Sequence, residues 1–445
     1  MKKSLLALAV IGAFTSTAYA DDGLFHFTKG DTTLDLYGVL DAGVVTQNHA
    51  YSLNNTLPNQ SYSYIGKIYA NAPSQTAAVN GGLSDSRIGI KGSTGLTEGV
   101  KAIFNFETGF DVTNMKLNNA AATLAANPST FNSAANPPRT LNADSSLNGQ
   151  MFARAAWVGV QADWGTLTYG TQNNPVKDAI GAYDPVKSDT FSPFGESGTV
   201  GGGVGSSEAS RMHNSLKYTT KFGNGFDASV AYQSGNDWNT SYGNSYAARI
   251  GYENGPLGLT AAYSNSKDAI VAGNAPTLGQ IKLNVFDVNG YLLAAKYKAT
   301  NELNLSGGYE HYQRKSPTDA IQNIGGIWGF TVSSTVAGFN AGISQAFNIY
   351  FAGGDYDFTP DLNLAAGYYN TKADAQSGTG AAANSDYTVG TWSTVLKYKM
   401  YKNLDLYAAA TVNSYGGGVY NAAAPTVNAY ATNVSAYGVG ARFKF

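Results

Sequence analysis

Apolar and polar positions alternate along residues 32–47, the clearest pattern in the chain. The even positions are apolar or small: Leu34, Leu36, Gly38, Leu40, Ala42 and Val44. The odd positions include Asp35, Tyr37 and Asp41. Side chains of a β-strand point alternately to opposite faces, so this pattern predicts a strand with one apolar and one polar face. Taken alone, the segment fits a soluble sheet as well as a membrane-spanning one.

The same alternation recurs along the chain, and this repetition favours one large sheet in a membrane. About sixteen segments show it, at residues 32–47, 86–94, 99–109, 151–162, 165–173, 211–221, 225–234, 245–254, 257–266, 288–299, 302–313, 347–359, 361–371, 388–400, 403–413 and 434–445. At about 3.3 Å per residue and a tilt near 40°, such strands cover about 25 Å, the apolar height of an outer-membrane barrel. We therefore predict an all-β fold, a transmembrane antiparallel β-barrel of about sixteen strands.

Connections between these segments fall into a short and a long class. Seven are tight turns rich in Gly, Asn, Asp or Pro, at residues 95–99, 163–165, 223–225, 254–256, 300–301, 360–361 and 402–403. Alternation of short and long connections places the short turns at one rim, as in barrels with short periplasmic turns. Aromatic residues gather at the ends of the apolar faces, where rings suit the headgroup region. They are Tyr218, Phe226, Tyr232, Tyr252, Tyr263, Tyr297, Phe358 and Tyr398.

Both ends of the chain carry export signals. Lys2 and Lys3 precede the apolar run 5–14, and Ala18-Tyr19-Ala20 forms a small-residue cleavage site. This pattern predicts a signal peptide over residues 1–20 and a single barrel domain over residues 21–445. The alternative, an uncleaved anchor, is disfavoured because a spanning helix needs about 20 apolar residues. The last segment places aromatic Phe443 and Phe445 on one face, which resembles the terminal signature of outer-membrane barrels.

Composition excludes several classes of chemistry. The chain has no Cys, so thiol catalysis and Cys-ligated metals are excluded. Its net charge of −2 becomes −4 once Lys2 and Lys3 are removed, too weak an imbalance to predict a nucleic-acid partner. The four histidines are widely spaced (His26, His49, His213 and His311). No catalytic set, metal site or cofactor motif can be built from them, so we expect a protein that is not an enzyme.

Several local sequences resemble the general trimeric porins of Gram-negative outer membranes, and the resemblance covers essentially the whole mature chain. They are Leu36-Tyr37-Gly38, the run from Ser86 to Gly92 (SRIGIKG), the run from Ala102 to Glu107 (AIFNFE), Phe152-Ala153-Arg154 and the run from Arg211 to Tyr218 (RMHNSLKY). The resemblance implies passive diffusion of ions and small hydrophilic solutes through a water-filled channel. It also implies an outer-membrane location and a homotrimer, with membrane lipid as a further partner.

The resemblance also implies a pore constriction. The family's third loop folds into the lumen; here it corresponds to residues 173–210, where Ser192-Pro193-Phe194-Gly195 is similar to the family's turn. An empty barrel of this size would enclose a wide channel, so size selection needs such a loop. Arg87, Arg154 and Arg211 resemble the family's wall arginines. Asp184, Asp189 and Glu196 are the loop carboxylates expected to face them.

Three matters stay open in the sequence. Phe194 follows Pro193 directly, where the family carries a glutamate, and Val39 stands at a position where a family lysine is found, so the ion preference is undecided. The long segments 48–84 and 111–150 would also suit an adhesin or ligand receptor, and a substrate-specific channel is a third possibility. Residues 325–346 alternate in part and fit either an outer loop or additional strand.

Overall fold

The computed structural model describes most of the predicted barrel and part of its loops. The described residues are 25–48, 74–113, 115, 117, 151–188, 191–196, 211–234, 244–267, 271–272, 283–284, 287–315, 344–375, 386–417 and 433–445. The predicted signal peptide and Asp189 lie outside them, as do residues 325–343 of the undecided segment. Within these ranges, no helix is both long enough and apolar enough to cross a membrane.

Strands dominate the described chain. They are β1 (Phe25–Lys29), β2 (Thr32–Gln47), β3 (Gln75–Asn80), β4 (Arg87–Thr97), β5 (Val100–Gly109), β6 (Ala155–Ala162), β7 (Gly165–Asn173), β8 (Arg211–Phe222), β9 (Phe226–Gln233), β10 (Ser245–Asn254), β11 (Leu257–Ser266), β12 (Val271–Ala272), β13 (Leu283–Asn284), β14 (Asp287–Lys298), β15 (Leu303–Lys315), β16 (Ser344–Thr359), β17 (Leu362–Ala373), β18 (Tyr387–Tyr401), β19 (Leu404–Gly417) and β20 (Asn433–Lys444). One α-helix, α1 (Pro175–Tyr183), and a 3₁₀ turn (Pro193–Glu196) lie between β7 and β8.

Eighteen of these strands form one antiparallel sheet, and sixteen of them make a closed barrel wall. Closure occurs between β2 and β20, where Val39 pairs with Lys444 and Gln47 pairs with Ala436. The two remaining strands extend the pairing of β2: β1 pairs with its first residues and β3 with its last. A closed sheet pairs every backbone group that would otherwise be an exposed edge, which is what the bilayer core requires.

Alternation in the sequence becomes the two faces of the wall. On β2, Leu40 and Val44 are exposed on the outer surface, whereas Asp41 and Val45 face inward and are buried. Six of the eight aromatic residues predicted to gather at strand ends are strongly exposed on the outside. They are Phe226, Tyr232, Tyr263, Tyr297, Phe358 and Tyr398. The apolar face therefore points outward and the polar face inward, the reverse of a soluble barrel.

Each of the sixteen predicted segments corresponds to a wall strand, so the predicted fold class is confirmed. The sequence did not predict β1, β3, β12 or β13, which are short and lack sustained alternation. β16 begins at Ser344, so the last three residues of the undecided segment belong to a strand. The seven tight turns also join the predicted neighbours, each linking two consecutive wall strands.

The chain between β7 and β8 folds inside the barrel. Asn174 caps α1, its side-chain oxygen accepting from the Val176 backbone N–H at 2.9 Å, and Pro175 suits the first helical turn. The helix packs on β10, β11 and β14. Its apolar side chains, with Phe191 and Phe194 beyond it, join inward-facing wall residues such as Leu292 in one buried cluster. This apolar cluster packs the loop against the inner face of the wall.

Candidate pore constriction

The three predicted arginines lie together on the inner side of the wall, on β4, β8 and the residue before β6. Arg87 begins β4, Arg154 immediately precedes β6, and Arg211 begins β8. A carboxylate on β5 joins two of them: Glu107 Oε1 accepts from Arg154 Nε at 2.8 Å, and its Oε2 lies 3.4 Å from Arg87 Nε. Arg211 Nε donates to the backbone oxygen of Arg154 at 2.9 Å. These contacts make one compact group, called the arginine cluster below.

Two further residues complete the arginine cluster. Asp85 forms an ion pair with the Arg154 guanidinium, and its backbone oxygen accepts from Arg87 Nη1 at 3.0 Å. The Tyr37 hydroxyl donates to Glu107 Oε2 at 3.0 Å. Three permanently charged guanidinium groups are thus set against two carboxylates, a local excess of one positive charge. Ion pairs with neighbouring carboxylates fix the orientation of a guanidinium group, whereas a flexible surface lysine has no fixed orientation.

Asp184, the first of the predicted loop carboxylates, lies away from the arginine cluster. It accepts a hydrogen bond from the Tyr369 hydroxyl of β17, and its oxygens accept from the backbone N–H groups of Val186 and Lys187 at 3.3 and 3.2 Å. Only 4% of Asp184 is exposed. Burial raises the pKa of this carboxyl above its ordinary value, although the hydrogen bonds act in the opposite direction. In this geometry Asp184 holds the turn after α1 against the wall.

The remaining two carboxylates are less fully described. Asp189 lies outside the described residues, and for Glu196 only its backbone place in the 3₁₀ turn is described. The structure therefore brings together all three predicted arginines, places one loop carboxylate apart from them, and leaves the other two without a described side-chain position.

An ion pair anchors the start of the loop. Lys217 Nζ of β8 lies 2.6 Å from Asp178 Oδ2 in α1 and also donates to the Asn173 backbone oxygen at 3.1 Å. Burial alone would raise the pKa of Asp178, but the Lys217 ammonium and the hydrogen bonds outweigh it and hold that pKa below its ordinary value. The pair fixes the position of the helix against the wall from which the loop departs.

The sequence reasoning named Glu107 as a carboxylate opposing the positive side of the lumen, but it missed Asp85, Asp355 and Asp357, which the fold also brings there. Asp85 and Glu107 neutralise part of the arginine cluster, and on the opposite wall Asp355 lies 3.8 Å from Lys187 of the loop. Asp357 stands two residues further along the same face of β16 and accepts from Asn363. The alternation of residues along each strand predicts that Glu107, Asp355 and Asp357 face the lumen. Their contacts, however, depend on the register between neighbouring strands, which alternation does not give. Across the described residues, no three His, Asp or Glu side chains are grouped to hold a metal ion.

A closed sixteen-stranded wall with an outward apolar face, an inward-folded loop and a fixed arginine cluster defines a porin. A family model for Gram-negative porins matches residues 7–418, and the chain belongs to that family. This assignment confirms the prediction of an outer-membrane porin.

Known proteins resemble the chain over different spans. An outer membrane porin protein of Bordetella pertussis is 26% identical over 242 residues, 53% of this chain and 49% of that protein. The match thus spans about half of the relative's length. The anion-selective porin of Comamonas acidovorans superposes with a TM-score of 0.57 at 18% identity, covering 93% of this chain and 99% of that one. OmpT of Vibrio cholerae gives a TM-score of 0.53 at 14% identity, covering 93% and 97%. At these identities the two structures support the fold alone.

Proposed function

We propose that the protein forms a water-filled channel for passive diffusion of ions and small hydrophilic solutes across the outer membrane. One observation carries this proposal: α1 and its following turn fold into a closed barrel whose inner face carries charged and polar side chains beside the apolar cluster. A barrel of sixteen strands would otherwise enclose a wide aqueous channel, and a loop packed against the inner wall narrows that channel. The arginine cluster then lies on the inner wall of the channel.

Liposome swelling with sugars of graded size tests this function. Vesicles that hold the purified protein should swell quickly in small sugars and progressively more slowly in larger ones, because the loop sets an upper size limit. Protein denatured before reconstitution is the control and should give no swelling. Equal rates for sugars of every size, or no permeation at all, would contradict a sieving channel.

We further propose that Arg87, Arg154 and Arg211 form the positive side of the constriction and give it a preference for anions. The cluster has three guanidinium groups against Asp85 and Glu107, and in a narrow lumen a fixed charge acts on every passing ion. Asp189 and Glu196 remain candidates for the facing carboxylates, as the porin resemblance implies. Asp184 would contribute through the position it gives the loop.

A homotrimer is the proposed assembly. The strongly exposed large side chains of β2, β4 and β6 are aliphatic: Leu40, Val44, Ile88, Ile90, Leu96 and Val158. Those of β9 to β11 and of β18 include rings, such as Tyr232, Tyr246, Tyr263 and Trp392. Rings are favoured at lipid headgroups, so an outer arc whose strongly exposed side chains are aliphatic suits contact between copies of the chain. The trimer form recorded for OmpT of Vibrio cholerae agrees with such an assembly.

Cysteine cross-linking tests this interface, because the natural chain contains no Cys. Val44→Cys should give cross-linked oligomers in a mild detergent extract when a short bifunctional thiol reagent is added. Tyr291→Cys, an exposed ring position on β14 next to β11, is the matched control and should stay monomeric on a denaturing gel. Cross-linking at Tyr291→Cys but not at Val44→Cys would place the interface on the other arc.

A further inference from the structure

The pairing along one edge of β2 is divided between β3 and β4. β3 pairs with Ala42–Gln47 of β2, and β4 pairs with Thr33–Val39 of the same strand. Residues 81–86, called the inward segment here, leave the sheet between them. Leu83 of this segment is 4% exposed and belongs to the same apolar cluster as Val176 and Phe191 of the loop. The inward segment therefore lies within the barrel, beside the loop.

Asp41 of β2 holds the inward segment. Its Oδ1 accepts from the Gly82 backbone N–H at 3.1 Å, and its Oδ2 accepts from those of Leu83 and Ser84, both at 2.9 Å. The Tyr407 hydroxyl of β19 donates to Oδ1 at 2.8 Å. Asp41 is 0% exposed. Four donors converge on one buried carboxylate, and hydrogen bonds to a charged group are the stronger kind.

Glycine permits this arrangement at two positions. Gly81 has a φ of +79°, which side chains rarely adopt, and its N–H donates to the Asp41 backbone oxygen at 3.0 Å. A Cβ on Gly82 would lie 1.9 Å from the Tyr407 hydroxyl oxygen. The inward segment and Tyr407 thus approach so closely that only glycine fits between them.

The inward segment touches both parts of the proposed constriction. Ser188 of the loop donates through Oγ to the Gly82 backbone oxygen at 2.7 Å. At its other end, Asp85 pairs with Arg154 and accepts from Arg87 through its backbone. A displacement of this segment would therefore move the loop and release two arginines together.

We propose that the inward segment is a second constriction element and that Asp41 is its positioning residue, setting pore width and ion preference from a place that solutes do not reach. This inference rests on the proposed channel function. Loss of the Asp41 charge should free the segment from β2, loosen its link to Ser188, and remove Asp85 from Arg154. The channel should become wider and noisier, and its lumen more positive.

Thiol labelling measures the position of the segment without needing an open channel. Leu83→Cys is introduced alone and together with Asp41→Asn, and a charged methanethiosulfonate reagent is added to folded protein in detergent. We expect labelling about tenfold or more faster in the D41N background, since losing one charged hydrogen bond shifts a local equilibrium by that factor. Equal rates in the two backgrounds would overturn the proposal. Should D41N fail to assemble, Tyr407→Phe removes one donor and is expected to give a smaller increase.

Single-channel recording of D41N and S188A supplies the functional readout. Asp227→Asn is the matched control, because Asp227 is a lumen carboxylate paired with Arg249 and makes no contact with the segment. D41N should raise conductance and open-channel noise and shift the reversal potential toward anions more than D227N does; S188A should raise noise with little change in selectivity. Identical behaviour of D41N and D227N would show that Asp41 acts only as a charge in the lumen and does not position the inward segment. If neither the natural protein nor any variant conducts, the channel function is wrong. The labelling rates would then still test whether Asp41 holds the inward segment in place.

Discussion

Arg154 is the most heavily paired of the three cluster arginines. Its guanidinium contacts Asp85 and Glu107, its backbone oxygen accepts from Arg211, and its side chain is 11% exposed. Side chains in such a network hold each other in direction, so one substitution changes both the charge and the geometry of the site.

Arg154→Ser should therefore shift ion preference toward cations and raise conductance. The substitution removes one of three guanidinium groups, leaves two carboxylates against two arginines, and makes room in the lumen. The reversal potential in a salt gradient measures the shift. Lys221→Ser removes the same charge at the exposed end of β8 and should change little, because exposed charges are screened by salt. Equal effects of the two substitutions would make the cluster arginines ordinary solvated charges.

The contribution of Asp184 to the stability of the folded protein should depend on pH. Burial raises its pKa above the ordinary value of 3.8, so between these two values the folded state binds a proton that the unfolded state has lost. The contribution of Asp184 to stability is then greatest at acid pH and falls as pH rises through that window.

Asp184→Asn should remove this dependence, because the amide stays neutral. Thermal unfolding in detergent between about pH 4 and pH 7 measures it. The natural protein should lose more stability than D184N as pH rises, and the difference between the two isolates Asp184 from other titrating groups. Parallel curves would show that this carboxyl does not titrate differently in the folded state.

At the scale of elements, the loop is attached to the wall by aromatic packing as well as by charge. Phe194 is 1% exposed and meets Phe351 and Tyr369 edge-on, with ring centroids 4.9 and 5.5 Å apart. Wall strands are held by backbone hydrogen bonds that do not involve this ring. Loop and wall therefore depend on different interactions.

Phe194→Ala should loosen the loop and leave the wall intact. Truncating a buried phenylalanine costs about 3–5 kcal/mol of packing free energy. Here that loss should weaken the packing of the loop against the wall. Limited proteolysis should cut the loop faster, and single channels should become noisier, while strand content by circular dichroism stays unchanged. Phe358→Ala, on the outer face and 56% exposed, is the control and should show neither change. Loss of strand content in F194A alone would show that the loop supports the wall.

The sequence predicts the wall better than the interior, for a physical reason. Strands of the wall must present an apolar face to lipid over their whole length. Apolar and polar residues therefore alternate in the sequence of all sixteen strands. β3 has only six residues, without a sustained alternation of apolar and polar positions, and the turn that follows it is fixed by Asp41, far away along the chain. Glu107 and Asp85 meet Arg154 through cross-strand register, which alternation does not specify. The arginines themselves came from family resemblance.

At the scale of the whole molecule, the wall and its contents have separate tasks. Closure between β2 and β20 satisfies the backbone within the bilayer and leaves the interior free of that requirement. The interior can then carry charges, an apolar cluster and glycine-dependent turns that shape the path of solutes. A porin of this kind should resist unfolding even when its loop is altered.

Single-channel recording of the natural protein in a planar bilayer under a salt gradient is the sharpest test of the proposed channel. Water-filled channels should appear as stable, discrete conductance steps that scale with the conductivity of the salt solution. The reversal potential should indicate a preference for anions, because the arginine cluster carries one positive charge more than its two carboxylates neutralise. Absence of any stable open step from correctly folded protein would contradict the account.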